Sequence, residues 1–187
     1  FGPTPADMAH LQAVGYSKWI DEQLNIPSTQ ATHVQLVDAS ATARAASKPD
    51  ATDITYSWWT HAIKDNAQLR QRVAFALSEI FVVSTNSELV DKGRMVASYM
   101  DMLTRDVNST YRVLLEDVAM HPAMGIYLSH RGNRKEDLGT GRVPDENFAR
   151  EVMQLFSIGL YELNSDGSLK LTNGQAVETY NSNDVQG

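Results

Sequence analysis

Cysteine is absent from all 187 residues. Disulfides, thiolate nucleophiles and thiolate metal sites are therefore excluded, while the compartment stays open. No run approaches the ~18 consecutive apolar residues that a membrane helix needs, and no internal repeat is visible. Positive charge is scarce: 16 Lys and Arg face 23 Asp and Glu, a formal charge of −7. That balance argues against nucleic acid as the main partner, because such affinity comes from neutralising phosphates with Lys and Arg. No Ser stands with a His and an acid in a recognisable nucleophile motif, and no glycine pattern matches a phosphate loop.

What is present suits a soluble globular chain. At 42% hydrophobic the chain buries a proper core, roughly 70% of its unfolded surface at this size. Its length fits one domain. The start at Phe1 and the close at Asn181–Gly187, where a new helix begins, read as cut ends.

Helix punctuation dominates the chain. Thr4-Pro5-Ala6-Asp7 offers an N-cap, Pro at the first helical position and an acid at the third, with Gly15 as a stop. Ser17 caps a second helix that ends before Pro27. Residues 31–50, rich in Ala, Ser and Thr, read as a weak helix or mobile excursion. Asp53 opens a helix through Trp58 and Trp59. The segment Gln68–Val83 is apolar around most of its circumference, so it is expected to be the central, buried helix. Further helices are expected over Met95–Val107, Tyr111–Met120 and Asp145–Ile158. His121-Pro122 breaks the chain before a short segment to Leu128. Leu160–Leu163, the Asn164–Gly167 turn and Leu169–Leu171 read as a β-hairpin near residues 160–172. The fold class is mainly α: an irregular multi-helix bundle in a single domain, with that small hairpin.

Three stretches then carry a family resemblance: Gln68–Ser78 (QLRQRVAFALS), His121–Met124 (HPAM) and Pro144–Glu151 (PDENFARE). The opening Phe1–Thr4 and the tail Gln154–Gly167 agree with it. The chain resembles the bacterial family catalogued as domain of unknown function 1800, in the family's order along nearly its whole length. The resemblance implies a secreted, periplasmic or cell-surface protein, often encoded beside a second, sulfatase-like family that is a possible protein partner. It also implies that residues 1–187 form the N-terminal part of a longer helical domain. It implies no reaction. Gln154 and Phe156 stand where some relatives carry an acid and a His, a departure that counts against a metal site needing those two ligands.

The residues themselves offer several constellations. On a helix over 145–158, Glu146, Asn147, Arg150, Glu151 and Gln154 share one polar arc. Glu146 and Arg150 form an i,i+4 pair in the favourable order. That arc is a solvated face with one ion pair, or an inward face on which Glu146, Arg150 and Glu151 do acid–base work. His121 and His130 are candidate ligands for a divalent metal with Glu146 or Glu151, though His121 before Pro122 also suits a helix cap. His10, His33 and His61 lack the second ligand at i+3 or i+4 that a helical zinc motif needs. The loop from His130 carries Arg131, Arg134, Lys135 and Arg142 against Glu136 and Asp137, +2 on a chain of −7. With Asn147 it is a candidate anion-binding element, since Arg forks suit carboxylate, sulfate or phosphate. Trp58-Trp59 is read as core packing, with at most one ring exposed for stacking on a sugar. Asn164–Ser168 resembles the start of a calcium loop but lacks the later acid.

The functional expectation is an extracytoplasmic binding or assembly module for a partner protein or an anionic polymer. One alternative is a hydrolytic, possibly metal-assisted enzyme using the polar arc of residues 145–158. The other is a cell-surface scaffold that pairs through the hairpin edge.

Overall fold

In the computed structural model, which describes residues 2–186, the chain is mainly α. Ten α-helices and one two-stranded sheet are found among the described residues. Contacts divide the chain into two compact units, the first ending at Leu114 and the second beginning at Leu115.

The first unit holds α1 (Pro5–Val14), α2 (Tyr16–Asn25), α3 (His33–Ala43), α4 (Ala51–Lys64), α5 (Gln68–Ile80) and α6 (Gly93–Arg105). Helix α1 starts as its sequence dictates. The Thr4 hydroxyl accepts from the Asp7 amide and Asp7 accepts from the Thr4 amide, a reciprocal capping box. Gly15 ends α1 at φ 79° and is also the N-cap of α2, so Ser17 does not cap.

Residues 31–50 differ most from expectation. Instead of a loose excursion, α3 is capped by a Thr32–Gln35 box and buries His33, Val37 and Ala41 at four-residue spacing. It packs against α4 and α6. The Ala and Ser content that suggests weakness is what allows that close approach: few large side chains separate the backbones.

Helix α4 begins at its Asp50 N-cap, with Asp53 completing a second box. Asp53 is fully buried, and Arg44 reaches it twice, Nε to Oδ1 at 3.1 Å and Nη2 to Oδ2 at 2.5 Å. The guanidinium holds the Asp53 carboxyl at about 2. Helix α5 lies where its sequence placed it, against α2, α4 and α6. It is less buried than its composition suggests: Ala74 and its C-cap Phe81 are enclosed, but Phe75, Ile80 and Val82 are exposed. With its neighbours on one side, an all-round apolar helix leaves its outer face to solvent. The buried centre lies instead on α6, which encloses Val96, Ala97, Tyr99, Met102 and Leu103. Tyr99 Oη donates to the Phe81 carbonyl at 2.8 Å and ties the end of α5 to α6. Gly93 opens α6 where a Cβ would meet the Pro49 carbonyl oxygen at 2.6 Å, so only glycine fits that approach.

Helix α7 (Tyr111–Met120) runs from the first unit into the second, which continues with α8 (Pro122–Tyr127), α9 (Asn147–Gln154), the strands β1 (Leu171–Thr172) and β2 (Gln175–Ala176), and α10 (Ser182–Gln186). Helix α9 is shorter at both ends than the expected 145–158. Beyond Gln154 the amides of Phe156 and Ile158 bond five residues back and Gly159 takes φ 73°, which closes the helix in a wide last turn. The expected pairing across Asn164–Gly167 is present as a Leu163–Leu169 bridge. The sheet proper continues beyond it around Asn173-Gly174, both at positive φ, the type I′ turn that Asn-Gly favours.

Candidate functional site

In the second unit, the basic loop is built by its own polar side chains. Asn133 Nδ2 donates to the Asp145 carbonyl at 2.7 Å, and the Asp145 amide donates to Asn133 Oδ1 at 2.9 Å. These two hydrogen bonds fasten the loop to the start of α9. Asp137 and Arg142 form an antiparallel bridge, and Arg142 Nε donates to the Lys135 carbonyl at 3.1 Å. Arg142 Nη2 also lies 3.7 Å from Asp137 Oδ2. Arg142 therefore works inside the loop and neutralises one of its two acids. Arg131, Arg134 and Lys135 are exposed, and no side-chain partner for them is found among the described residues.

The polar arc of α9 is a mixture. Arg150 Nη2 pairs with Glu146 Oε2 at 2.8 Å, the i,i+4 pair expected from spacing. The Asn147 amide donates to Asp145 Oδ1 and its side chain is exposed. Tyr180 Oη donates to Gln154 Oε1 at 3.3 Å. Arg150 also lines a polar cleft of about 230 Å³ with Tyr161, Glu178 and Tyr180. Glu151 differs from its neighbours: its Oε2 is enclosed and meets no hydrogen-bond donor among the described residues.

The two histidines are placed apart in role. His121 is the N-cap of α8, its Nδ1 accepting from the Ala123 amide at 3.1 Å. His130 is exposed and stacks on Phe148, ring centroids 4.4 Å apart. Among the described residues, no three His, Asp or Glu side chains converge as a metal cage would require.

A second polar assembly lies in the first unit, inside the packing of α3 to α6. Asp65, the C-cap of α4, is almost fully buried. It accepts from the Ser28 hydroxyl at 2.7 Å, the Thr29 amide at 3.0 Å, the Ala67 amide at 3.1 Å and Gln71 Nε2 at 2.8 Å. Burial alone would raise the Asp65 carboxyl, but these donors outweigh it and hold it at about 2. His61 Nδ1 lies 3.3 Å from the same carboxylate. His61 is 4% exposed, and its Nε2 has no hydrogen-bond partner among the described residues. His33 lies against it at 4.2 Å between centroids and bonds Ser57 Oγ through Nδ1 at 3.0 Å. Burial, reinforced by the neighbouring His61, drives His33 down to about 3. Asp101, from α6, accepts from the His33 and Val34 amides at 2.7 and 3.0 Å and so closes the N-terminus of α3. Burial lifts its carboxyl above the usual range against the pull of those amides.

Outside this network, Trp58, Trp59, Ala62, Gln68, Gln71, Arg72 and Phe75 line an open cleft of about 190 Å³ on α4 and α5. Gln71 joins the cleft to the buried Asp65.

The model of one protein family matches residues 1–187. The chain belongs to that family, described as Protein of unknown function (DUF1800). No curated protein and no solved structure matches it. The family assignment agrees with the resemblance carried by residues 68–78, 121–124 and 144–151, and it supplies no reaction.

Sequence reasoning missed the buried network, although part of the signal was present. Asp65 follows His61 by four residues, one helical turn, a spacing that places the pair side by side but is not the His–His spacing of a helical zinc motif. The contacts of His33 with Ser57 and of Asp65 with Ser28 join residues 24 and 37 positions apart. No spacing rule reaches that far.

Proposed function

We propose that this chain is an extracytoplasmic binding module that takes an anionic polymer on the loop carrying Arg131, Arg134 and Lys135. The observation that carries this reading is the charge state of the loop. Eight Lys and Arg side chains outside the loop sit within ion-pair distance of an acid, and Arg142 pairs with Asp137 inside it. These three do not. Because Asp137 is offset by Arg142, only Glu136 opposes them, and the loop keeps its +2. Its fastening through Asn133 and Asp145 lowers the ordering cost of binding. The net charge of the chain does not cancel this, because exposed charges beyond about 8–10 Å are screened at physiological salt.

Dextran sulfate is the direct probe, with neutral dextran as the blank and polyglutamate as a stand-in for an acidic protein surface. The chain is expected to bind dextran sulfate, and replacing Arg131, Arg134 and Lys135 together with alanine should weaken binding at least about tenfold, since three charge-assisted contacts are lost. Preference for polyglutamate would point to a protein partner. Equal binding by the triple variant would remove the loop from the reading.

One observation favours a second reading, the hydrolytic enzyme: the enclosed, undonated Oε2 of Glu151. A buried carboxylate oxygen without a donor is costly unless something binds it. If that is a divalent metal, elemental analysis of the chain purified without a chelating tag should find it near one equivalent, and Glu151→Ala should release it. A metal-free chain with Glu151→Ala still folded would set this reading aside.

A further inference from the structure

The cleft on α4 and α5 shares no residue with the basic loop, and its chemistry is of another kind. Trp58 and Trp59 meet edge to face at 82°, and Phe75 tilts against Trp58 at 5.5 Å. Trp59 is 50% exposed and Phe75 46%. Two large aromatic rings half open to solvent in one concavity are unusual for packing alone. Trp58 takes the packing role, so Trp59 is left as a wall.

The polar residues narrow what such a wall would face. Gln68 Nε2 donates to the Asp65 carbonyl at 2.6 Å, and Gln71 Nε2 donates to Asp65 Oδ2 at 2.8 Å. Both amides are thus anchored by their nitrogens on Asp65, Gln68 on its backbone carbonyl and Gln71 on its buried carboxylate. Their carbonyl oxygens, for which no partner is found among the described residues, remain as acceptors. Acceptors of that kind call for hydroxyl donors. Arg72 is exposed and has no acid within reach among the described residues, so its fork of donors calls for a carboxylate or sulfate. An apolar ring face, hydroxyl donors and an acid group occur together in an acidic sugar. An aromatic carboxylate would satisfy Trp59 and Arg72 but leave both glutamine oxygens unmet, and a neutral sugar would leave Arg72 unmet.

We propose that this cleft binds the ring of an acidic sugar, its C–H face against Trp59, its hydroxyls donating to Gln68 and Gln71, and its carboxylate held by Arg72. A volume of about 190 Å³ suits one ring, not an extended chain. The site stands independently of the loop, and neither requires the other.

Galacturonate, galactose and benzoate test the assignment by NMR on the whole chain. The three tryptophans report separately: Trp19 belongs to α2 and not to the cleft, so its indole signal is the internal reference. Galacturonate is expected to shift the Trp58 and Trp59 indole signals saturably and to leave Trp19 in place. Galactose should bind at least about tenfold more weakly, the value of one charge-assisted contact. Arg72→Gln should bring galacturonate down to the galactose level, and Trp59→Ala should abolish the response to both. Both side chains are exposed, so each variant should melt as the parent does; if Trp59→Ala does not fold, Arg72→Gln alone decides. Equal affinity for galactose and galacturonate, benzoate binding as tightly as galacturonate, or no saturable shift would each overturn the proposal.

Discussion

Asp65→Ala is expected to destabilise the chain by about 3–5 kcal/mol, the usual cost of removing one partner from a buried, hydrogen-bonded charge. The Ser28 hydroxyl, the Thr29 and Ala67 amides and Gln71 all lose their acceptor. Those donors tie the segment before α3 and the start of α5 to the end of α4, so two junctions loosen together. Urea denaturation followed by circular dichroism measures the change as a fall in midpoint at similar slope. Asp91→Ala is the informative control. Its carboxylate is held low by Lys48 and Lys92, yet it lies at the surface, where ion pairs contribute little. Stability there should be nearly unchanged. A loss at Asp65 no larger than at Asp91 would mean that the buried network is not what holds these helices together.

The second large effect is acid sensitivity from His33. Its folded value of about 3 lies below the ordinary 6.5, so the unfolded chain binds a proton that the folded chain refuses. Stability is therefore full above pH 6.5 and declines as the pH falls toward 3, by up to about 1.4 kcal/mol per unit for one proton. Across that window the loss is on the order of 5 kcal/mol. The groups facing His33 are Ser57, His61, Asp65 and Asp101, from α4 and α6. Asp65, held at about 2, adds a loss of the same sign below pH 4. Asp101, whose carboxyl is raised, works in the opposite direction. In His33→Gln the slope of stability against pH between 6.5 and 4.5 should fall by about one proton. An unchanged slope would assign the acid sensitivity to other groups.

Local chemistry made most of the fold legible. The Thr4–Asp7 box, the Pro122 start of α8 after His121 and the stop at Gly15 are rules about neighbouring residues, and each of those elements begins or ends there. The mainly α class followed from them. Burial was less legible. The apolar circumference of residues 68–83 says that a helix dislikes water, not how many neighbours it will find, and α6 took the centre instead. Residues 31–50 misled because small side chains signal weak propensity in isolation and close packing in context. At the loop, the sequence showed the charges but not their pairing: Arg142 looked equivalent to Arg131, Arg134 and Lys135 until the Asp137 bridge separated them. The cleft on α4 and α5 was half visible in Trp58-Trp59, where helical geometry allows one exposed ring. The anchoring of Gln68 and Gln71 on Asp65 requires the turn between α4 and α5 to be formed first.

The binding reading rests on three unpaired cations, so the salt dependence of dextran sulfate binding tests it most directly. Binding constants measured on the whole chain across a series of sodium chloride concentrations give a log–log slope that counts the ions displaced. The parent chain should give a slope of roughly two to three ions, and the Arg131, Arg134 and Lys135 triple alanine variant a slope near zero. A parent slope near zero, or the same slope in both proteins, would contradict the assignment of the loop as the anion-binding element.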